Sequence, residues 1–177
     1  MTRKIFAALL MTVMIFFSQN VSAYSNINYR AYVEGNGWMK PVGEGEVAGT
    51  VMQARRMEAL VINFNGGIKY SAHVENIGWQ DWVYEGNVAG TVGHNLRMEA
   101  IRIQLTGRSE QYFDVYYRAH VENGGWLGWA KNGEPAGTAG ASLRMEAIQI
   151  RLVEKGTQVN RGNKPAFYQY FPNAPTA

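Results

Sequence analysis

The chain has 177 residues, of which 46% are hydrophobic and 18% charged, and this composition is typical of a globular protein rather than a disordered or collagen-like one. Because the sequence contains no cysteine, disulfide bonds, zinc–cysteine sites and cysteine nucleophiles are excluded. With 17 Lys and Arg against 14 Asp and Glu, the formal net charge is +3, which taken alone would favour an anionic partner such as nucleic acid.

The first 23 residues have the features of an export signal. Arg3 and Lys4 precede an apolar stretch at residues 5–17, and the small residues of Val21-Ser22-Ala23 follow it. This order is typical of a secretory signal peptide, and the apolar stretch is shorter than the roughly 20 residues that span a bilayer. We therefore predict cleavage after Ala23, an extracellular or cell-surface location, and no stable membrane insertion. The remaining 15 basic and 14 acidic residues give no electrostatic reason to expect a nucleic-acid partner.

Three copies of one 38-residue unit occupy most of the remaining chain. Residues 68–105 align without a gap on residues 115–152, with 22 of 38 positions identical, and a more divergent copy occupies residues 27–64. In each copy a Trp is followed at constant spacing by Ala-Gly-Thr and then by Arg-Met-Glu-Ala. Such periodicity predicts a single domain at residues 24–159 that is built from three similar units, numbered here 1 to 3 in chain order.

Each unit shows the alternation of short β-strands. Tyr70, Ala72 and Val74 alternate with polar residues, and Ile101 and Ile103 do the same near the end of unit 2. Gly, Asn and Pro separate these apolar runs and predict turns. Since one such unit cannot bury its inner face alone, we predict an all-β domain in which three antiparallel units pack around a pseudo-threefold axis. A β-prism-like arrangement is favoured, and a β-trefoil is the alternative.

Residues 160–177 form a C-terminal tail with no counterpart in the repeats. Phe167, Tyr168, Tyr170 and Phe171 give it an aromatic segment that we expect to pack on the domain. The last residues, 172–177, are expected to fray, as chain ends commonly do.

The repeated pattern Gly-Trp, Ala-Gly-Thr and Leu-Arg-Met-Glu-Ala-Ile of units 2 and 3 resembles the clostridial hydrophobic repeat with a signature tryptophan, the ChW repeat. Unit 1 departs from it, because Pro41 stands where Trp82 and Trp129 stand in the other units. The resemblance implies a non-catalytic extracellular module of the kind found in secreted and surface proteins of Gram-positive bacteria. It also implies polysaccharide, cell-surface or protein partners.

The Arg-Met-Glu segment offers one carboxylate per unit. Glu58, Glu99 and Glu146 share the alternation of the apolar residues that follow them, which predicts that these carboxylates point toward the buried face. A buried carboxylate needs partners, and an arginine two residues earlier can supply them in each unit. These arginines are Arg56, Arg97 and Arg144. We interpret the Arg-x-Glu motif as structural, with a pocket carboxylate as the alternative.

The tryptophans divide into two groups. Trp79 and Trp82 are three residues apart, as are Trp126 and Trp129, and residues so spaced in a regular strand face opposite sides of a sheet. We therefore expect Trp79 and Trp126 in the core, with Trp38 as their structural counterpart in unit 1. Trp82 and Trp129, together with Tyr84, are the predicted exposed platforms for a sugar ring or a partner side chain.

Further polar candidates alternate away from the apolar positions of the first strand. They are His73, Glu75 and Asn76 in unit 2, and His120, Glu122 and Asn123 in unit 3. Either a solvated face or contact with a ligand explains them. Two His or Glu ligands per unit fall short of the three or four of a metal site, so neither a metal nor another cofactor is expected.

These patterns together predict a secreted, non-catalytic module that recognises cell-wall or environmental polysaccharide at several related sites. An extracellular protein-interaction or surface-assembly module is the alternative. An enzyme is not expected, because the sequence has neither a Gly-x-Ser-x-Gly nor a His-Glu-x-x-His motif and its polar residues are mostly repeated copies rather than one asymmetric constellation.

Overall fold

The computed structural model describes residues 27–170, so the predicted signal peptide at 1–23 and residues 171–177 lie outside the described residues. Strands and one short 3-10 helix are the regular elements of the described part. The prediction of an all-β protein built from three repeats is confirmed. Within residues 27–170, the structure contains no helix that could span a bilayer.

Each unit contributes five strands in the same order. Unit 1 contains β1 (Asn28–Val33), β2 (Gly37–Trp38), β3 (Val42–Gly43), β4 (Ala48–Gly49) and β5 (Met57–Asn63). Unit 2 contains β6 (Ile68–Val74), β7 (Gly78–Trp79), β8 (Val83–Tyr84), β9 (Ala89–Gly90) and β10 (Met98–Leu105). After the 3-10 helix at Gly107–Gln111, unit 3 contains β11 (Phe113–Val121), β12 (Gly125–Trp126), β13 (Ala130–Lys131), β14 (Ala136–Ala139) and β15 (Met145–Glu154). The tail adds β16 (Phe167–Gln169).

The two long strands of each unit form the centre of a sheet. β1 pairs with β5, β6 with β10 and β11 with β15, all antiparallel. The first of them also pairs, on its other edge, with the two short strands that follow it. The alternating apolar residues of the long strands face the common core, where Tyr70, Ala72 and Val74 are fully buried.

The fourth strand of each unit pairs with the sheet of another unit. β9 of unit 2 pairs with β5 of unit 1, β14 of unit 3 with β10 of unit 2, and β4 of unit 1 with β15 of unit 3. This exchange links the three sheets in a cycle, and the described strands form no closed barrel. Each unit therefore completes the sheet of a neighbour. The arrangement is consistent with the β-prism-like expectation and with its trefoil alternative.

The glycine of the Ala-Gly-Thr motif is required where strands of two units meet. Gly90 has φ +98°, and a Cβ built on it would lie 2.2 Å from the carbonyl oxygen of Glu58 in unit 1. Gly49 and Gly137 meet their neighbouring units in the same way, with a Cβ 2.3 Å from a backbone oxygen. Only a residue without a side chain allows this approach.

A buried tyrosine from each unit also joins neighbouring units. The hydroxyl of Tyr29 accepts a hydrogen bond from the Ile150 N–H at 3.1 Å, and the hydroxyl of Tyr70 accepts one from the Ile62 N–H at 3.0 Å. The Tyr117 hydroxyl is hydrogen-bonded to the backbone of Ile103 in unit 2 and donates to the Glu134 carbonyl within its own unit. Burial raises the pKa of both Tyr29 and Tyr70 to about 12 and raises the pKa of Tyr117 as well.

The tail packs on units 2 and 3. β16 runs parallel to β14, with Gly137 opposite Phe167 and Ala139 opposite Gln169, so it covers the outer edge of the unit 2 sheet. Before β16, the tail crosses unit 3, where the Trp129 N–H donates to the Arg161 carbonyl at 2.9 Å.

Candidate functional site

Aromatic and basic side chains occupy the outer face of the unit 2 sheet, on the side opposite the core. Lys69 of β6 lies opposite Tyr84 of β8. Trp79 ends the short strand β7, and Trp82 lies between β7 and β8 in the chain. Arg102 lies on β10. Lys69 and Arg102 alternate with fully buried residues, which places both side chains outward. We name this set of five residues the aromatic–cationic face.

Arg102 connects the two tryptophans of this face. Its guanidinium carbon lies 4.6 Å from the centroid of the Trp79 ring and 4.7 Å from that of Trp82, and Lys69 Nζ lies 5.0 Å from the Trp82 centroid. These are cation–π distances. The expectation that Trp79 and Trp82 face opposite sides is wrong, because the regular strand ends at Trp79 and the next begins at Val83. Trp79 is half-buried at the outer face rather than placed in the core.

Unit 3 repeats the arrangement, but its second tryptophan is more deeply buried. The Arg118 guanidinium lies 4.7 Å from the centroids of both Trp126 and Trp129, and Arg151 lies 3.8 Å from that of Trp129. Trp126 is half-buried, whereas Trp129 is only 5% exposed. The prediction of an exposed Trp129 is therefore wrong. Arg161 of the tail covers it and donates from Nε to the Trp129 carbonyl at 2.7 Å.

Burial at this position also changes the pKa of Arg118. Desolvation, with a smaller contribution from the nearby Arg151 cation, lowers the pKa of the Arg118 guanidinium.

Unit 1 retains only the first tryptophan of the pair. Trp38 is half-buried, and Arg30 Cζ lies 4.7 Å from its ring centroid. Tyr32 meets the same ring edge-on, with centroids 5.4 Å apart. Pro41 takes the place of the second tryptophan, so this unit has a shorter aromatic surface.

Each unit has a buried carboxylate in its Arg-x-Glu motif. Glu99 is 4% exposed, accepts a hydrogen bond from Arg97 Nε at 3.0 Å, and has Oε2 3.2 Å from His73 Nδ1. That distance allows an ion pair when the imidazole is protonated, although the geometry falls short of a hydrogen bond. Arg97 also pairs with Glu75. The cluster therefore has two carboxylates that share one guanidinium group.

The same cluster recurs in the other units. In unit 3, Arg144 Nη2 lies 2.9 Å from Glu146, His120 Nδ1 lies 3.1 Å from Glu146 Oε2, and Arg144 pairs with Glu122. In unit 1, Arg56 bonds both Glu58, at 2.9 Å, and Glu34, at 2.5 Å. Tyr32 occupies the histidine position there.

A β-bulge determines where these carboxylates point. In unit 2 the register shifts between Met98 and Ala100, so that Val74 lies opposite Met98 while His73 lies opposite Ala100. Met98 and Ile101 belong to the core cluster, and Glu99 contacts His73 instead. The expectation that Glu99 shares the orientation of Ile101 is therefore wrong, because the extra residue of a bulge breaks the two-residue alternation. Glu58 and Glu146 lie at equivalent bulges.

The histidines do not form a solvated face. His73 is half-buried and its ring meets Trp79 edge-on at 5.4 Å, while His120 is buried and meets Trp126 at 5.3 Å. Each imidazole thus lies between a carboxylate and a tryptophan. Among residues 27–170, no group of three or more His, Asp or Glu side chains could hold a metal ion.

The asparagine candidates are exposed turn residues. Asn76 and Asn123 have the left-handed backbone conformation, with φ values of 61° and 59°. Asn123 lines a cavity of about 470 Å³ between unit 3 and the tail, together with Leu127, Thr138 and Tyr170. A second cleft, of about 270 Å³, lies beside Arg118 and Trp126, and the tail residues Asn163 and Lys164 complete its wall.

Sequence reasoning missed the cations of these faces and the role of Gln80. Arg30 and Arg118 share one repeat position, but Ser71 stands there in unit 2 and Arg102 lies on a last strand, so no single position carries the cation in all three units. The Gln80 side chain bonds to the backbone of Gly90. Its Oε1 accepts the Gly90 N–H at 2.7 Å and its Nε2 donates to the Gly90 carbonyl at 3.2 Å.

The repeats match a known family. The family model described as Clostridial hydrophobic W matches residues 32–66, 73–107 and 120–154, one match in each unit. Comparisons with curated proteins and with solved structures gave no match. The three family matches together span more than half of the chain and include the tryptophan, the Ala-Gly-Thr and the Arg-Met-Glu-Ala segments of every unit. The chain therefore belongs to the Clostridial hydrophobic W family.

Proposed function

We propose that the protein is an exported, non-catalytic binding module that recognises polysaccharide of a cell wall or of the environment. The observation that carries this proposal is the aromatic–cationic face of unit 2. There, Tyr84 is 61% exposed beside the half-buried Trp82, and Lys69 lies against the Trp82 ring. An exposed aromatic next to fixed hydrogen-bond donors is the arrangement that a sugar ring needs.

The polar groups of this face favour a particular class of polysaccharide. Sugar rings present apolar C–H surfaces that pack on aromatic rings, and Trp82 and Tyr84 provide such rings. Lys69 and Arg102 have donors but no acceptors, and they bond best to carboxylate or phosphate groups. The face therefore fits an acidic polysaccharide, with uronic acid or phosphate substituents, better than a neutral one.

Unit 3 supplies a second site of different shape. The cleft beside Trp126 and Arg118 is walled by Asn163 and Lys164, so a ligand there contacts one aromatic ring, two cations and an amide. Two sites on one rigid body bind a repetitive polymer more tightly than either site alone, through the high effective concentration of the second site.

Co-sedimentation with isolated Gram-positive cell walls and with a panel of insoluble polysaccharides tests the proposal. We expect the purified protein to pellet with at least one of them, and Tyr84→Ala and Trp82→Ala to reduce the pelleted fraction. Tyr170→Ala is the matched control, since Tyr170 is 58% exposed but lies beyond the opposite edge of the same sheet. An equal loss in all three variants, or no pelleting with any material, would contradict the proposal.

A protein-interaction module is the second candidate, and a separate observation favours it. Ile77, Val88 and Val92 of unit 2 are all at least 40% exposed, and exposed apolar side chains are available to pack against a protein partner. Pull-down of a protein partner that polysaccharide does not compete away would support this candidate.

A further inference from the structure

The same strand edge has different hydrogen-bond partners in the three units. The edge is that of the short strand with the Ala-Gly-Thr motif, which is β4 in unit 1, β9 in unit 2 and β14 in unit 3. Each of these strands pairs on one side with the sheet of another unit. They differ in which groups form hydrogen bonds with the backbone on the other side.

In unit 2 a side chain closes the edge. Gln80 bonds both the N–H and the carbonyl of Gly90, as a neighbouring strand would. In unit 3 the tail closes it, since the Gly137 N–H donates to the Ala166 carbonyl at 2.9 Å and the Tyr170 N–H donates to the Ala139 carbonyl at 2.9 Å. The residue equivalent to Gln80 is Leu127, which has no amide to offer and lines the cavity under the tail.

In unit 1 neither a side chain nor a segment of residues 27–170 covers the edge in this way. Met39 occupies the position of Gln80 and Leu127, packed against the core. The Thr50 N–H bonds to Glu146, which makes Gly49 and Ala147 a pair that exchanges no backbone hydrogen bonds and directs the Gly49 N–H toward the free edge. Within residues 27–170, β4 has β15 as its sole neighbouring strand.

A second unsatisfied group lies next to this edge. Thr50 is 4% exposed, and its hydroxyl has no hydrogen-bond partner in the described part of the chain. The equivalent hydroxyls of Thr91 and Thr138 both donate to a backbone carbonyl, that of Leu96 and that of Leu143. Buried polar groups in folded proteins are normally bonded, so an unpartnered hydroxyl next to a strand edge that no second described strand covers marks an incomplete site.

We propose that the β4 edge of unit 1 accepts an extended peptide segment of a partner protein, which adds a strand parallel to β4 as β16 adds to β14. The peptide resembles the tail in its chemistry. One of its carbonyls accepts the Gly49 N–H, and an aromatic side chain packs beside Met39, in the place that Tyr168 and Tyr170 take beside Leu127. Backbone hydrogen bonds supply affinity in such strand addition, and the side-chain pocket supplies selectivity. This site is separate from the aromatic–cationic face.

A fluorescent peptide with the sequence of residues 164–170, Lys-Pro-Ala-Phe-Tyr-Gln-Tyr, is the probe. We expect saturable binding by fluorescence anisotropy with one peptide per protein, and slower hydrogen exchange at the Gly49 amide in its presence. Met39→Gln installs the side chain that closes the edge in unit 2, and we expect it to weaken peptide binding at least tenfold while the protein remains folded.

The reciprocal variant is the matched control. Gln80→Met removes the amide that closes β9, and we expect a second peptide to bind. Absence of binding to the unaltered protein, or equal binding to the unaltered protein and to Met39→Gln, would overturn the proposal. The latter result would show instead that the peptide displaces the tail at β14. Tyr84→Ala leaves this edge intact, so we expect it to reduce polysaccharide binding and to leave peptide binding unchanged. This difference distinguishes the two proposed sites.

Discussion

Arg102 of the last strand of unit 2 packs against Trp79, with its guanidinium carbon 4.6 Å from the ring centroid. In the other two units the arginine that packs against the equivalent tryptophan lies on the first strand. Arg102 and Ser71 face each other across β10 and β6, and the equivalent pair in unit 3 is Gln149 and Arg118. The arginine has thus exchanged sides within one cross-strand pair, while its contact with tryptophan is kept. Stacking with arginine is therefore a property of the fold that either strand can provide.

This relationship predicts the effect of moving the arginine. Arg102→Gln removes the cation from two indole rings, and we expect it to lower the free energy of unfolding by about 1–2 kcal/mol. The double variant Ser71→Arg/Arg102→Gln reproduces the pair of unit 3 and should recover most of that loss. Urea denaturation of the three proteins measures both effects. A double variant less stable than Arg102→Gln would contradict the interchange of the two strands.

The buried Glu99 should be needed for stability rather than for binding. Its removal in Glu99→Ala leaves the Arg97 guanidinium and the His73 imidazole without their shared carboxylate, and breaking a buried ion pair in this way costs about 3 kcal/mol. Thermal unfolding and polysaccharide sedimentation measured on the same preparation separate the two roles. Lost binding with unchanged thermal stability would mean that the carboxylate belongs to a ligand pocket.

The exchange of strands between units predicts a contrast between Gly90, at the end of β9, and Gly93, in the loop that follows. Gly90 and Gly93 both have positive φ, but a Cβ on Gly90 would lie 2.2 Å from the Glu58 carbonyl oxygen, whereas a Cβ on Gly93 has nothing within 4 Å. We expect Gly93→Ala to cost about 1–2 kcal/mol for the backbone alone, and Gly90→Ala to cost clearly more. Similar unfolding midpoints for the two variants would argue against a tight contact between β9 and β5.

Alkaline pH should destabilise the protein through its buried tyrosines. The pKa values of Tyr29 and Tyr70 are raised to about 12, so above pH 10 the unfolded chain loses phenolic protons that the folded protein keeps. The stabilisation from this difference is complete below pH 10 and is lost as the pH rises toward 12. Guanidinium denaturation at pH 8 and pH 11 should show the decline, and Tyr70→Phe should make it shallower. A free energy of unfolding that does not change between these pH values would contradict the buried positions.

The extent to which the sequence predicts this molecule can be judged from individual residues. The repeats and the two-residue alternation around Tyr70 predicted the all-β units, because both are local features of the chain. The orientation of Glu99 was not predictable from the same alternation, since a bulge one residue long reverses it. Trp129 was misplaced for another reason, because the segment that covers it lies 32 residues further along the chain.

In the aromatic–cationic face, too, some residues could be predicted from local sequence and others could not. Trp82 and Tyr84 were identified from residue type and position, and both lie on the outer face. Lys69 and Arg102 were not, because a cation becomes part of an aromatic site only through the register that brings the strands together. The closing of β9 by Gln80 likewise depends on a contact between residues ten apart in the chain, which the two-residue alternation does not show. Motifs within one unit were therefore easier to interpret than contacts that cross strands or units.

Isothermal titration calorimetry with soluble fragments of an acidic and a neutral cell-wall polysaccharide tests the central claim most directly. We predict heat of binding with the acidic fragment, weaker affinity at high salt because the attraction is partly electrostatic, and two sites per protein. Tyr84→Ala should remove one of the two sites, and Tyr170→Ala should leave both. Binding by Tyr84→Ala with unchanged stoichiometry and affinity would contradict the assignment of polysaccharide recognition to the outer face of unit 2.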